Sequence, residues 1–197
     1  MPNHITNKLR IVGTNEQVHE VLDFLKIEPI EGRKYSGYGT IDFNKITPMP
    51  KWVYGSSPDV TGISTKDEEK WGEENTSLSW ARKNWGTKWG PYEQRHEDDT
   101  IYFNTAWNGV PDLVRKIAWI FPDVNIEYSY ADEDLGSSNC GIYVFKAHEI
   151  LEETHFESES KEAYELAFEL VEHGEIPPYY QFNEETQTYE YVEEYDE

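Results

Sequence analysis

The chain has 197 residues with 37% hydrophobic and 15% aromatic side chains, enough rings to exclude a disordered chain and enough length for one domain with a small appendage. Its 17 bases against 39 acids leave a net charge of −22, which repels phosphate backbones and anionic membranes and attracts basic proteins. The one cysteine, Cys140, excludes an intrachain disulfide and fits a reducing cytoplasm.

The charge is uneven. Residues 1–100 hold 13 bases and 16 acids, residues 101–197 only 4 bases and 23 acids. No apolar run approaches the roughly 20 residues of a membrane span, and Met1-Pro2-Asn3-His4 has no basic, apolar leader, so no signal peptide is expected.

Residues 4–12 alternate Ile5, Asn7, Leu9 and Ile11 with polar neighbours, the period of a strand. Gly13 breaks it, and Thr14 with Gln17 forms a capping box before Val18, Val21, Leu22 and Leu25 at helical spacing. A second strand is expected over Thr40–Ile46, with Ile41 and Phe43 on one face. Residues 51–75 read as a long polar excursion. A short helix follows, capped by Asn75 or Thr76, with Leu78, Ala81 and Trp85 on one face and Gly86 as its left-handed terminator.

Thr100–Trp107 gives a third strand. Pro111 opens a second core helix whose apolar face holds Leu113, Val114, Ile117 and Ile120. Val124 to Tyr130 predicts a fourth strand, and Cys140–His148 a fifth, paired with the fourth as a hairpin. The order matches a ferredoxin-like split βαβ fold. We therefore expect an α+β protein: an antiparallel sheet over residues 1–148, two helices on one face, and an insertion at about 51–95 rich in Trp and helix. Residues 149–197 carry 17 acids and one base and form a separate acidic helix and tail. The tail from Tyr179 to Tyr195 reads either as a hairpin around residues 183–187 or as a loose arm.

Conventional chemistry is not written in the sequence. The strand-to-helix turn Val12-Gly13-Thr14 has one glycine and no Lys-Ser/Thr pair, so it is no phosphate loop. No Gly-x-Ser-x-Gly elbow occurs. Cys140 and His148 stand too far apart on one strand to form a nucleophilic pair, and buried cysteine is the better reading. The six histidines lack metal-ligand spacing, and the acidic turns at 97–99 and 132–134 do not follow a calcium loop, so no metal and no cofactor are expected. The third strand carries aromatics but not the basic-glycine string of RNA-recognition sheets, so no direct nucleic acid is expected.

Two surfaces remain. Asn84, Trp85, Lys88, Trp89, Tyr92, Asn104 and Trp107 form a candidate ligand or partner surface, with Trp rings as walls and Asn and Lys as polar groups. Packing of the same rings against the sheet is the competing explanation. Glu159, Glu162, Glu165, Glu169 and Glu172 line a candidate acidic surface for a basic protein partner.

Several strings carry a resemblance: Met1-Pro2-Asn3-His4, Phe43 to Pro50, Asn84-Trp85-Gly86-Thr87-Lys88-Trp89-Gly90, Phe103 to Trp107, and Tyr130 to Asp134 with Asn139-Cys140-Gly141. Together they resemble the YubB-like, Api-type proteins of phages and plasmids, which carry a ferredoxin-like domain. The resemblance covers residues 1–147, poorly at 51–75, and implies the fold without an activity. An iron–sulfur cluster is excluded despite the fold's name, because ligation takes about four thiolates and the chain has one cysteine. The expected function is a non-catalytic binding module acting on a host or defence protein. A sensor or enzyme using the Trp-lined pocket, and a structural homodimer, are the alternatives.

Overall fold

The computed structural model describes residues 3–29, 31–32, 34–55 and 65–192. One six-stranded antiparallel sheet organises them. Its strands are β1 (His4–Val12), β2 (Tyr92–Glu97), β3 (Thr100–Ala106), β4 (Asn125–Asp132), β5 (Cys140–Lys146) and β6 (Glu149–His155), in the order β2-β3-β1-β4-β5-β6. The helices are α1 (Asn15–Leu25), α2 (Phe43–Ile46), α3 (Thr65–Trp71), α4 (Ser77–Trp85), α5 (Pro111–Ile120) and α6 (Lys161–Leu170). A hairpin of β7 (Tyr180–Asn183) and β8 (Thr188–Tyr191) closes the described chain.

Residues β1, α1, β2, β3, α5 and β4 reproduce the ferredoxin-like split βαβ order, with β1 central between β3 and β4. The two-residue period of β1 sends Ile5, Leu9 and Ile11 to an inner face, opposite Thr105, Ile101 and Ile126. There α1 and α5 pack with Val21, Leu22, Leu25, Leu113, Val114 and Ile117, all essentially fully buried. The capping box at Thr14 is present in full, and Pro111 begins α5.

The expected second strand at Thr40–Ile46 is absent. Ile41 and Phe43 are both fully buried, as a strand face would be, but Asp42 accepts a hydrogen bond from the Asn44 N–H and caps a single helical turn instead. The true second strand is Tyr92–Glu97, so the long interruption runs from the end of α1 to residue 91 and lies before β2, not between the second and third strands. It packs onto the inner core through Ile41, Phe43, Trp80, Ala81 and Trp85.

The outer face is covered in part. Residues Glu149–His155, which the sequence reading assigns to the acidic tail, continue the sheet as its edge strand β6. Helix α6 then crosses back over the outer face. Ala163, Leu166, Ala167 and Leu170 seat on Ala131 and Cys140, while Tyr164 and Phe168 pack under Tyr189 of the hairpin. The tail is therefore a hairpin through Tyr191, with its turn at residues 184–187, and Glu193–Glu197 lie outside the described residues.

Candidate functional site

The tryptophan-rich stretch from Trp80 to Gly90 divides at Gly86. Before it, Trp80 and Trp85 are buried and meet edge to face, with centroids 5.4 Å apart; Trp85 also meets Phe43 edge to face at 5.8 Å. The Trp85 indole N–H donates to the Thr47 carbonyl at 2.8 Å, and the Asn84 amide donates back to the Trp80 carbonyl. Asn84 and Trp85 therefore serve packing and the end of α4. Gly86, at φ 82°, ends α4 in the left-handed region and turns the chain toward β3.

Beyond the turn, Thr87 is buried and clamps the end of β3. Its hydroxyl donates to the Ala106 carbonyl at 2.9 Å and accepts the Ala106 N–H at 3.1 Å. This brings Lys88 beside Trp107, nineteen positions later in the chain. The Lys88 ammonium lies 4.9 Å from the Trp107 ring centre and 5.8 Å from that of Trp89. Trp107 is 42% exposed and sits at φ 73°, a conformation rare for a bulky residue. Its N–H donates to the Asn3 carbonyl and its carbonyl accepts from the Asn139 amide, so the strained backbone is held from both sides. Arg82, Gly86, Thr87, Lys88, Trp107 and Asn108 line a hollow of about 500 Å³.

Tyr92 and Asn104 belong to another site, on the outer face. The Tyr92 hydroxyl meets His4 Nδ1 at 2.7 Å, and burial, followed by the Glu93 and Glu133 charges, pushes it up to about 12. The Asn104 amide donates to Glu93 at 2.8 Å. Here the sheet's β2-β3-β1 half is left open beside the C-terminal end of α6. Two adjoining hollows of about 450 and about 550 Å³ share Arg95, Tyr102, Leu170 and His173. The Arg95 guanidinium stacks 3.6 Å above the Tyr102 ring and pairs with Glu97. The charged walls are Glu93, Glu97, Glu133 and Glu169 against Lys8 and Arg95. The negative end of the α6 dipole adds to the acidic side.

The candidate acidic surface is narrower than five residues suggest. Glu162, Glu165 and Glu169 share the exposed side of α6. Glu169 pairs with Lys8 at 2.7 Å, and that carboxylate outweighs partial burial and holds the ammonium above its ordinary pKa. Glu165 lies 3.6 Å from Lys161. Glu159 stands before the cap Ser160, in a turn at φ 62°, and Glu172 follows the helix end. Glu152 of β6 extends this acidic side, sharing a third hollow with Glu169, Glu127, Lys8 and Arg10.

Among the described residues no cluster of three or more His, Cys, Asp or Glu is arranged to hold a metal ion. Asp132 is buried instead as a structural acceptor for the Asn3 and Asn139 amides and the Asp134 N–H. Cys140 is buried beneath α6, and burial, then the Asp132 charge, pushes its thiol up to about 11, so it is a poor nucleophile near neutrality. No described helix is long and apolar enough to cross a membrane.

Sequence patterning does not mark Arg82, Asn108, His4, Arg95, Tyr102 or His173 as site residues. Tyr102 was visible as a strand aromatic; the others carry no local pattern, because the fold alone assembles them.

These features define a mixed α+β protein of ferredoxin-like type whose outer sheet face is half covered by an added helix and hairpin. A protein-family model described as the ferredoxin-like domain in Api92-like protein matches residues 84–191. The match covers more than half of the chain, and the chain belongs to that family. It starts inside α4 and ends with β8, leaving out the central strand β1 and the helix α1 that packs on the sheet. No curated protein and no solved structure matches the chain.

Proposed function

We propose that the chain is a non-catalytic interaction module of the YubB-like, phage- and plasmid-encoded type, acting in the bacterial cytoplasm on a basic host or defence protein. The observation that carries this reading is the open half of the outer sheet face. Two adjoining hollows lie there, their walls hold four carboxylates against two bases, and the C-terminal end of α6 faces them. A lysine or arginine of a partner would find both aromatic rings and carboxylates there. The stripe Glu162, Glu165 and Glu169 continues the same potential along α6 and steers a cationic surface toward the groove.

The edge strand β6 argues for a monomer in this role. Pairing β6 of one copy with β6 of another would bring Glu152 and Glu153 of both copies together, and like charges across a strand pair are destabilising.

The test is affinity capture from bacterial lysate at low salt, run in parallel with a Glu93→Gln/Glu97→Gln/Glu133→Gln variant. The expected result is a stoichiometric basic partner that elutes with salt and is reduced at least about tenfold by the triple variant, an amount reasonable for three lost charge contacts. A partner that is not basic, or one indifferent to the three neutralisations, overturns the reading.

A further inference from the structure

The hollow beside Trp107 has the opposite polarity to the groove. Residues 26–91 carry ten bases and nine acids, while the rest of the chain carries seven bases and thirty acids. The interruption is thus nearly neutral in a strongly acidic protein. Its bases gather where α4 ends, at Arg82, Lys83 and Lys88. Neither Arg82 nor Lys88 has a carboxylate partner among the described residues, in a chain with an excess of acids.

From this juxtaposition of an unpaired lysine, an unpaired arginine and a strained, half-exposed indole, we propose that the hollow binds a mononucleotide, a heteroaromatic ring carrying a phosphate. Trp107 supplies the stacking floor. Its left-handed backbone, fixed by the Asn3 carbonyl and the Asn139 amide, holds the ring out at the end of β3. A ring placed at energetic cost and held there by two hydrogen bonds is the kind of strain that concentrates at ligand sites. Lys88, held 4.9 Å from the centre of that ring, and Arg82 provide the phosphate contacts, and the Asn108 amide, on the same rim, reads the ring's polar edge. About 500 Å³ is within the usual range of small-molecule sites. A longer nucleic acid is disfavoured, because each further phosphate would approach a surface of net charge −22.

This site is independent of the basic-partner groove, since Arg82, Lys88 and Trp107 line none of the outer-face hollows. The experiment is calorimetric titration of the full chain with AMP, GMP, CMP and UMP, with adenosine, and with inorganic phosphate. Trp107→Ala and Lys88→Met are titrated alongside, with Trp119→Ala as an exposed tryptophan outside the hollow. At least one monophosphate should bind with a Kd below about 1 mM, and adenosine and phosphate each at least about tenfold more weakly. Trp107→Ala should cost about tenfold, the scale of one lost base stack, and Trp119→Ala nothing. Lys88→Met should weaken the nucleotide and leave the nucleoside unchanged, narrowing the gap between them while Arg82 keeps part of it. Absence of binding by all four monophosphates overturns the proposal, as does binding that ignores both substitutions. A di- to hexanucleotide series that tightens with length would overturn it in favour of single-stranded nucleic acid.

Discussion

Trp85 and Trp107 come from two ends of one structural unit and have opposite fates. Trp85, on the last turn of α4, is 6% exposed, meets Phe43 and Trp80 edge to face, and has its indole N–H satisfied by Thr47. Trp107, just past β3, is 42% exposed on a left-handed backbone, with an ammonium over its ring. The two are joined through Gly86 and Thr87, which turn the chain out of α4 and fasten it to Ala106. One short link thus separates rings that build the core from rings that face solvent. Tryptophan content alone does not say which role a ring takes; the backbone on either side of Gly86 does.

The largest effect should come from removing the buried ring. Trp85→Ala deletes the contacts with Phe43 and Trp80 and leaves the Thr47 carbonyl without its donor. Large-to-small changes at buried aromatics cost about 3–5 kcal/mol. Urea unfolding should show that loss for Trp85→Ala, and a change within about 0.5 kcal/mol for Trp107→Ala, as for other surface positions. Equal losses at both positions would erase the distinction.

How far this division could be read from sequence depends on what each element buries. Strand β1, helices α1, α5 and α6, and strands β3, β4 and β5 announce themselves, because one face of each is apolar at its proper period and the caps Thr14 and Pro111 are local. Strands β2 and β6 do not. In Tyr92–Glu97 only Gln94 is buried, and in Glu149–His155 nothing is, since both lie at sheet edges where alternation has no core to record. Ile41 and Phe43 mislead in the other direction, being buried two apart without a strand, because Asp42 starts a helical turn between them. The site was legible as a list of residue types and not as a grouping. Trp85 goes to the core and Asn84 to the end of α4, Tyr92 and Asn104 go to the outer face, and only Lys88, Trp89 and Trp107 stay together. Their meeting depends on Thr87 and Ala106, a contact between distant segments that no periodicity encodes.

A smaller effect is expected at the joint itself. A Cβ added at Gly86 would meet nothing nearer than the Gly109 carbonyl and Val110 at 3.9 Å, so space is not the constraint. The constraint is φ 82°, and holding an alanine there costs about 1–2 kcal/mol. Gly86→Ala should therefore lower stability by that amount in urea unfolding. It should also weaken the Lys88–Trp107 pairing, visible as altered acrylamide quenching of the exposed tryptophans. A loss above about 3 kcal/mol would mean that the turn supports the core as well as the link.

The smallest effect separates strain from contact at Trp107. If the left-handed backbone there is held at a cost, relieving it should stabilise the fold. Glycine occupies φ near 73° without the Cβ penalty that alanine and tryptophan share. Alanine keeps the strain and removes the ring; glycine removes both. Trp107→Gly should accordingly be more stable than Trp107→Ala by up to about 1 kcal/mol, the difference being set by the backbone alone and reduced by glycine's freer unfolded chain. Paired urea titrations of the two variants measure it directly. An order reversed in favour of alanine would show that the positive φ relaxes once the indole is gone. The ring's own contacts with Lys88, rather than the Asn3 and Asn139 hydrogen bonds, would then be what holds the backbone in place.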